Sequence, residues 1–403
     1  MGRKDSVEEM PAPSKLGAGD FGMMVEQCSV KRAGMRVAAI AGLVQACGEG
    51  VVPPEEVMRY LDTLSHALCG SASKAADEAL LALKAMGLVL LTCGRHPPAA
   101  LSESEFDQIF TRAAKAGRDH KSPPARGWAA LLVALLGWMG CQEDARTVEA
   151  WEWFQSRIAS EAAHSESWTP AEIIPFLVGW TFLALDKSKA WVRRDMAPKQ
   201  GSFVNSALWR AAVSWVTNAS TDVRLAAGQS LGAMFEVYHH PTEEEGTPED
   251  PNVEREICEL HSVVKTLAGQ GGTAVHSVAK RDKADFRRTF RTVLAALDGE
   301  NASGEVKIHL DNDKDLVLTC LESSFKYDFL KRWAGQGIKA HITNYPAAKY
   351  MLCAGREKWN TVMRERVDLS KQALAVTKKT TQLERQRDRD EKLLHLIGDA
   401  REE

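Results

Sequence analysis

An all-α fold is predicted, and three observations predict it. From about residue 23 to Tyr238, Ala, Leu, Val and Trp recur at three- and four-residue spacing, the period of a helix with one face in a core. Gly, Pro or Ser-Pro breaks interrupt the pattern every 15 to 25 residues and no alternating strand pattern intervenes. A motif also repeats: Arg36-x-x-Ala39-x-x-x-Leu43 returns as Arg126-x-x-Ala129-x-x-x-Val133 and as Arg224-x-x-Ala227-x-x-x-Leu231. Offsets of 90 and 98 residues are each about two units of 40 to 47 residues. Together these describe an armadillo/HEAT-like α-solenoid, followed by a small C-terminal α+β unit and a long C-terminal helical tail.

The elements follow in chain order. Residues 1–22, rich in Gly, Pro and charge, read as a flexible N-terminal arm. The repeats occupy 23–238, with helices expected at 30–47, 54–69, 73–93, 102–116, 123–140, 147–163, 170–186, 203–217 and 221–238. Within a repeat the small Ala lets helices approach and the later Leu or Val fills the core between units; the Arg is expected to be exposed or to cap a neighbouring carbonyl. Segment 239–256, HHPTEEEGTPEDPNVERE, carries a dense acidic cluster and reads as a solvated loop. The C-terminal unit, 257–355, begins with helices at 253–268 and 280–299. EVKIHL (305–310) and DLVLTC (315–320) alternate around Asp311-Asn312-Asp313, the signature of a β-hairpin. Helices at 321–334 and 345–353 complete the unit, with Trp333, Gly335 and Gly337 marking the stop between them. Residues 356–403 hold few large apolar side chains and read as a basic helical tail with no core of its own.

Composition narrows the function. The chain has 403 residues, 51 Lys+Arg against 54 Asp+Glu and a net charge of −3, so any basic surface must be local. No apolar run reaches the roughly 18–20 residues that span a bilayer, and the N-terminus has no apolar signal core. A soluble, intracellular protein is therefore expected. The eight cysteines are scattered without a CxxC pair, which points to reduced thiols that behave as small hydrophobes.

The motifs that could carry catalysis fail on context. Gly17-x-Gly19-x-x-Gly22 matches a dinucleotide pattern without a preceding strand. Gly228-Gln229-Ser230-Leu231-Gly232 matches a nucleophile elbow, yet Ser230 falls inside a predicted helix. The eleven histidines form no HExxH or other i,i+4 pair. No enzymatic activity, metal site, cofactor or small-molecule substrate is expected.

Two basic stretches remain. Lys280, Arg281, Lys283, Arg287, Arg288 and Arg291 precede or share an amphipathic helix in which Phe286, Phe290 and Val293 lie opposite Arg287, Arg288 and Arg291. That apolar face is expected to pack on the C-terminal unit. The tail between residues 356 and 389 adds Arg356, Lys358, Arg364, Arg366, Lys371, Lys378, Lys379, Arg385, Arg387 and Arg389, ten cations against five carboxylates. Such surfaces neutralise phosphates and release counterions, giving affinity without sequence readout. The bland alternative is a solvated charged helix laced with i,i+4 pairs, which Glu384 to Asp390 partly supports.

Three blocks resemble the interferon-related developmental regulator family: STDVRLAAGQSLGAMFEVY (220–238), KRDKADFRRTFRTVLAALDGE (280–300) and FKYDFLKRWAGQGIKAHITNYPAAKYMLCAG (325–355), the last including Tyr327-Asp328, Gly335-x-Gly337, His341 and Asn344. The resemblance implies a non-enzymatic, armadillo-like protein with two associated roles. One is binding to translationally inactive ribosomes, through rRNA and ribosomal proteins, with the helical tail in the tRNA-site and mRNA-channel region. A tRNA or elongation factor on the same ribosome is a further implied partner. The other role is that of a nuclear transcriptional co-regulator. The long basic tail favours the first, with a cytoplasmic location and the nucleus as a second one. Glu384, Asp388, Asp390 and Glu391 dilute its charge beyond about residue 383.

Overall fold

The computed structural model of the chain describes residues 18–94, 103–139, 144–161, 168–186, 207–239, 251–270, 280–298, 306–310, 314–353 and 363–365. It is mostly helical with a small antiparallel sheet. In order, α1 is Ala18–Gln27, α2 Ala33–Gly48, α3 Pro54–Arg59, α4 Leu61–Ser71, α5 Ala76–Cys93, α6 Glu103–Asp119 and α7 Pro123–Met139. Then come α8 Asp144–Glu161, α9 Pro170–Asp186, α10 Ala207–Trp215, α11 Thr221–His239, α12 Pro251–Gln270 and α13 Lys280–Leu297. The row of packed neighbours runs α2, α5, α7, α9, α11, α13.

The repeated small and branched residues do what the motif predicts. Ala39, Leu43, Ala129, Val133, Ala227 and Leu231 are all fully buried. Pro175 lies inside α9. Lacking an N–H, it leaves the Ala171 carbonyl without its intrahelical donor, and α7 meets that carbonyl with Gly127, where a Cβ would sit 2.5 Å from the oxygen.

Helix α1 corrects the expected arm, since it begins at Ala18 rather than after residue 22. Its cause is plain: Phe21, Met24, Val25 and Cys28 follow i, i+3, i+4, i+7 spacing and all are buried. The expected helix 54–69 is divided at Tyr60, whose ring packs 6.1 Å from Phe21. Gly19 and Gly22 lie in α1, and Ser230 is buried within α11, so neither the dinucleotide nor the nucleophile pattern has the backbone that it needs.

The hairpin is present as β1 (Val306–His309) and β2 (Lys314–Leu318), with Ile308 opposite Leu316. A third strand, β3 (Met363–Glu365), pairs antiparallel with β2. This corrects the expectation of a helical tail from residue 356. The backbone register places Leu316 opposite Met363, Asp315 opposite Arg364 and Lys314 opposite Glu365.

Helix α14 (Leu321–Ala334) leads through a 3₁₀ turn at Gly335–Gly337 into α15 (Ile338–Asn344), which was not expected, and then α16 (Pro346–Cys353). Gly335 closes α14 at φ +57°, a backbone shape that favours glycine. This segment does not stand apart as a unit. α14 packs on α2, α5, α9 and α11, α16 packs on α5, and all share one apolar core. Phe329 stacks on Phe182 of α9 with ring centroids 3.8 Å apart. Trp333 fills the space over Gly87 of α5, where any Cβ would overlap its ring, and meets Trp128 edge-on at 5.0 Å.

Candidate nucleic-acid interface

The basic face of α13 is set by what lies behind it. Phe286, Phe290 and Val293 are buried, and Arg287, Arg288 and Arg291 are exposed on the other side. The apolar face rests on α11, where Gly228 admits the Phe290 ring and Gly232 admits Val293. The sequence predicts packing on the C-terminal unit; α12, most of which belongs to that unit, does pack on α13, and α11 of the repeat row packs on it to the same extent.

The remaining expected cations divide by location. Lys280, Arg281 and Lys283 belong to the first turn of α13, and their side chains lie outside the described residues. Arg364 is in β3, opposite Asp315. Arg356, Lys358, Arg366, Lys371, Lys378, Lys379, Arg385, Arg387 and Arg389 lie outside the described residues, as does most of the acidic loop.

The repeat arginines hold a role that the sequence reading missed. Arg36 donates from Nε and Nη2 to Glu78 of α5 at 2.6 and 2.9 Å, and from Nη1 to the carbonyls of Val30 and Lys31. Arg126 repeats the arrangement: Nε and Nη2 to Glu172 of α9, both at 2.7 Å, and Nη1 to the carbonyls of His120 and Lys121. The carbonyl capping was expected; the burial and the carboxylate were not. The Arg36 hydrogen bond holds the Glu78 carboxyl below its ordinary range, against a smaller opposing effect of burial. Each glutamate occupies the third position of its helix, so the signal was an acid at matching places in α5 and α9. Arg224 is arranged differently, donating to Thr221 Oγ1 and lying 5.4 Å over the Phe286 ring.

The 325–355 block likewise proves to be structural. His341 Nε2 donates to the Cys47 carbonyl at 2.8 Å, and Tyr345 Oη donates to the Val52 carbonyl at 2.8 Å. Burial lowers the His341 pKa, with the carbonyls of Cys47 and Gly48 opposing. Gly337 lies against the backbone of Gly48 and Glu49. Glu236 of α11 accepts from the first two backbone N–H groups of α14, at 3.1 and 2.9 Å, an anion at the positive end of a helix.

Among the described residues no three His, Cys, Asp or Glu side chains gather as metal ligands, and no helix is long and apolar enough to cross a membrane. The family model of the interferon-related developmental regulators matches residues 8–298. The chain belongs to the interferon-related developmental regulator family. The match spans the helical row from α1 through α13 and ends before β1. No curated protein matches the chain. The interferon-related developmental regulator family is not a known enzyme family.

Proposed function

We propose that the protein is a non-enzymatic ribosome-binding factor of the interferon-related developmental regulator family, built as an armadillo/HEAT-like solenoid. It silences or preserves translationally inactive ribosomes in the cytoplasm. The helical row docks on the ribosome surface, and the C-terminal tail enters the tRNA-site and mRNA-channel region. The observation that carries the reading is the exposed Arg287, Arg288 and Arg291 face, held outward by buried Phe286, Phe290 and Val293. Rigidly presented guanidinium groups suit the fixed phosphates of folded RNA.

The alternative is a nuclear co-regulator that gathers protein partners along the solenoid. It has less surface to work with, because α14 to α16 cover part of the α2, α5, α9 and α11 row. Sucrose-gradient sedimentation of lysate, with and without RNase, separates the two. Ribosomal co-sedimentation that weakens with salt, and on deletion of residues 357–403, is expected. Undiminished binding by the truncated chain overturns the role of the tail. Nuclear, RNase-insensitive complexes without ribosomal proteins support the alternative.

A further inference from the structure

The N-terminal ends of α2, α5, α7 and α9 lie side by side along one edge of the molecule. Arg36 of α2 grips Glu78 of α5, His120 Nε2 contacts the Lys74 carbonyl just before α5, and Arg126 of α7 grips Glu172 of α9. These contacts order the edge as one line. Arg224, near the N-terminal end of α11, lies over Phe286 near the same end of α13.

Exposed cations crowd this edge: Lys31 and Arg32 before α2, Lys74 before α5, Lys121 before α7 and Arg118 at the end of α6. None of them makes an ion pair among the described residues, where the internal carboxylates Glu78 and Glu172 are already held by Arg36, Arg126 and Arg157. The exposed acids nearby are Asp77 and Asp119. The loops are fixed by their own hydrogen bonds, since Arg36 and Arg126 tie down the carbonyls of Lys31 and Lys121. The four helix N-termini add partial positive charge along the same line.

We infer that this edge is a second RNA-contacting surface, one that takes the phosphate backbone of double-helical RNA. It rests on the RNA-binding reading above and extends it to residues outside α13 and the tail. At about 8–10 Å between neighbouring helices, four helix ends extend over about 30 Å, enough for several phosphates of an RNA helix. Apart from Met35 and the acids Asp77 and Asp119, the exposed residues between the cations are small, such as Gly34, Ser73, Ala75 and Pro124. An edge that, among the described residues, offers a protein partner little beyond Met35 to bury is poorly suited to one. No exposed aromatic ring accompanies the cations among the described residues, so a single strand has nothing to stack on. Shape and phosphate contact, the usual recognition of double-helical RNA, are what remain.

The test uses the full chain and a fluorescently labelled 20-base-pair RNA duplex, read by anisotropy over a salt series. Lys31→Glu, Arg32→Glu, Lys74→Glu and Lys121→Glu together should weaken binding more than about tenfold and flatten the salt slope by about 3. The matching Gln variant should give an intermediate loss; because the Lys74 charge also acts on buried Glu78, a triple Lys31→Glu, Arg32→Glu, Lys121→Glu variant, which should melt as the parent does, keeps loss of RNA contact separate from loss of fold. Unchanged affinity in the Glu variant, or no duplex binding by the parent at low salt, overturns the inference. So does poly-glutamate displacing the duplex at equal charge. Duplex binding without ribosome binding would instead overturn the ribosomal reading and leave this surface standing.

Discussion

Arg126 reaches forty-six residues along the chain to hold Glu172 with two parallel hydrogen bonds of 2.7 Å. Glu172 also accepts from Arg157 at 2.9 Å, so one carboxylate serves two guanidinium groups from different helices. Removing one member of a buried pair leaves the other charge uncompensated, at a cost of about 3 kcal/mol or more. Glu172→Gln is therefore expected to lower stability more than Glu78→Gln, which strands only Arg36. Urea denaturation of the two variants checks the order; equal losses would mean that Arg157 contributes nothing through Glu172.

Gly87 and Trp333 form a lock between α5 and the C-terminal segment. Gly87→Ala should destabilise by about 2 kcal/mol, because its methyl group overlaps the buried indole. Trp333→Ala should cost about 3–5 kcal/mol. Combined with Trp333→Ala, Gly87→Ala should become neutral or gain up to about 1 kcal/mol from helix propensity. Additive losses in this double-mutant cycle would show that the two positions are not coupled.

Two groups give acid sensitivity in separate windows. His341 is neutral and buried, with its pKa lowered, so the unfolded chain binds the extra proton first. Its contribution is complete above about 6.5 and falls as pH drops from there toward the lower folded value. The Glu78 pKa is lowered by Arg36, so its contribution is present above about 4.5 and is lost as pH falls through the lower folded value. Thermal melts across pH should show a first decline that His341→Gln removes and a second that Arg36→Ala removes. A first decline that persists in His341→Gln assigns it to another group.

Thiol reactivity should follow burial. Burial pushes the Cys28, Cys47 and Cys93 thiols up to about 12 and the Cys69 thiol up to about 11, while Cys258 is exposed on α12. Brief alkylation at pH 8, read by peptide mass spectrometry, should label Cys258 well before those four. Early labelling of Cys47 would show that the α15 contact opens readily.

Much of the helical architecture was legible because long apolar periodicity decides both element and face; α9, for example, occupies the residues expected of it. What escaped was short or distant. Helix α1 carried the right spacing at Phe21, Met24, Val25 and Cys28, hidden among glycines that suggested a loop. Seven residues of α15 and three of β3 are too few to show a period. The Arg36–Glu78 and Arg126–Glu172 grips join residues 42 and 46 positions apart, where local pattern says nothing of pairing. The outward arginines of α13 were visible in the sequence; that α11 packs on this helix as closely as α12 does was not.

The pairing of Glu365 with Lys314 fixes the point from which the rest of the chain departs. The last described residues thus stand on the sheet, beside β2, and not at the end of α16. As a helix, the 38 residues after Glu365 would measure about 57 Å. Residues inserted before Met363 would bulge from the connection and leave the reach unchanged, whereas each residue inserted after Glu365 would lengthen it.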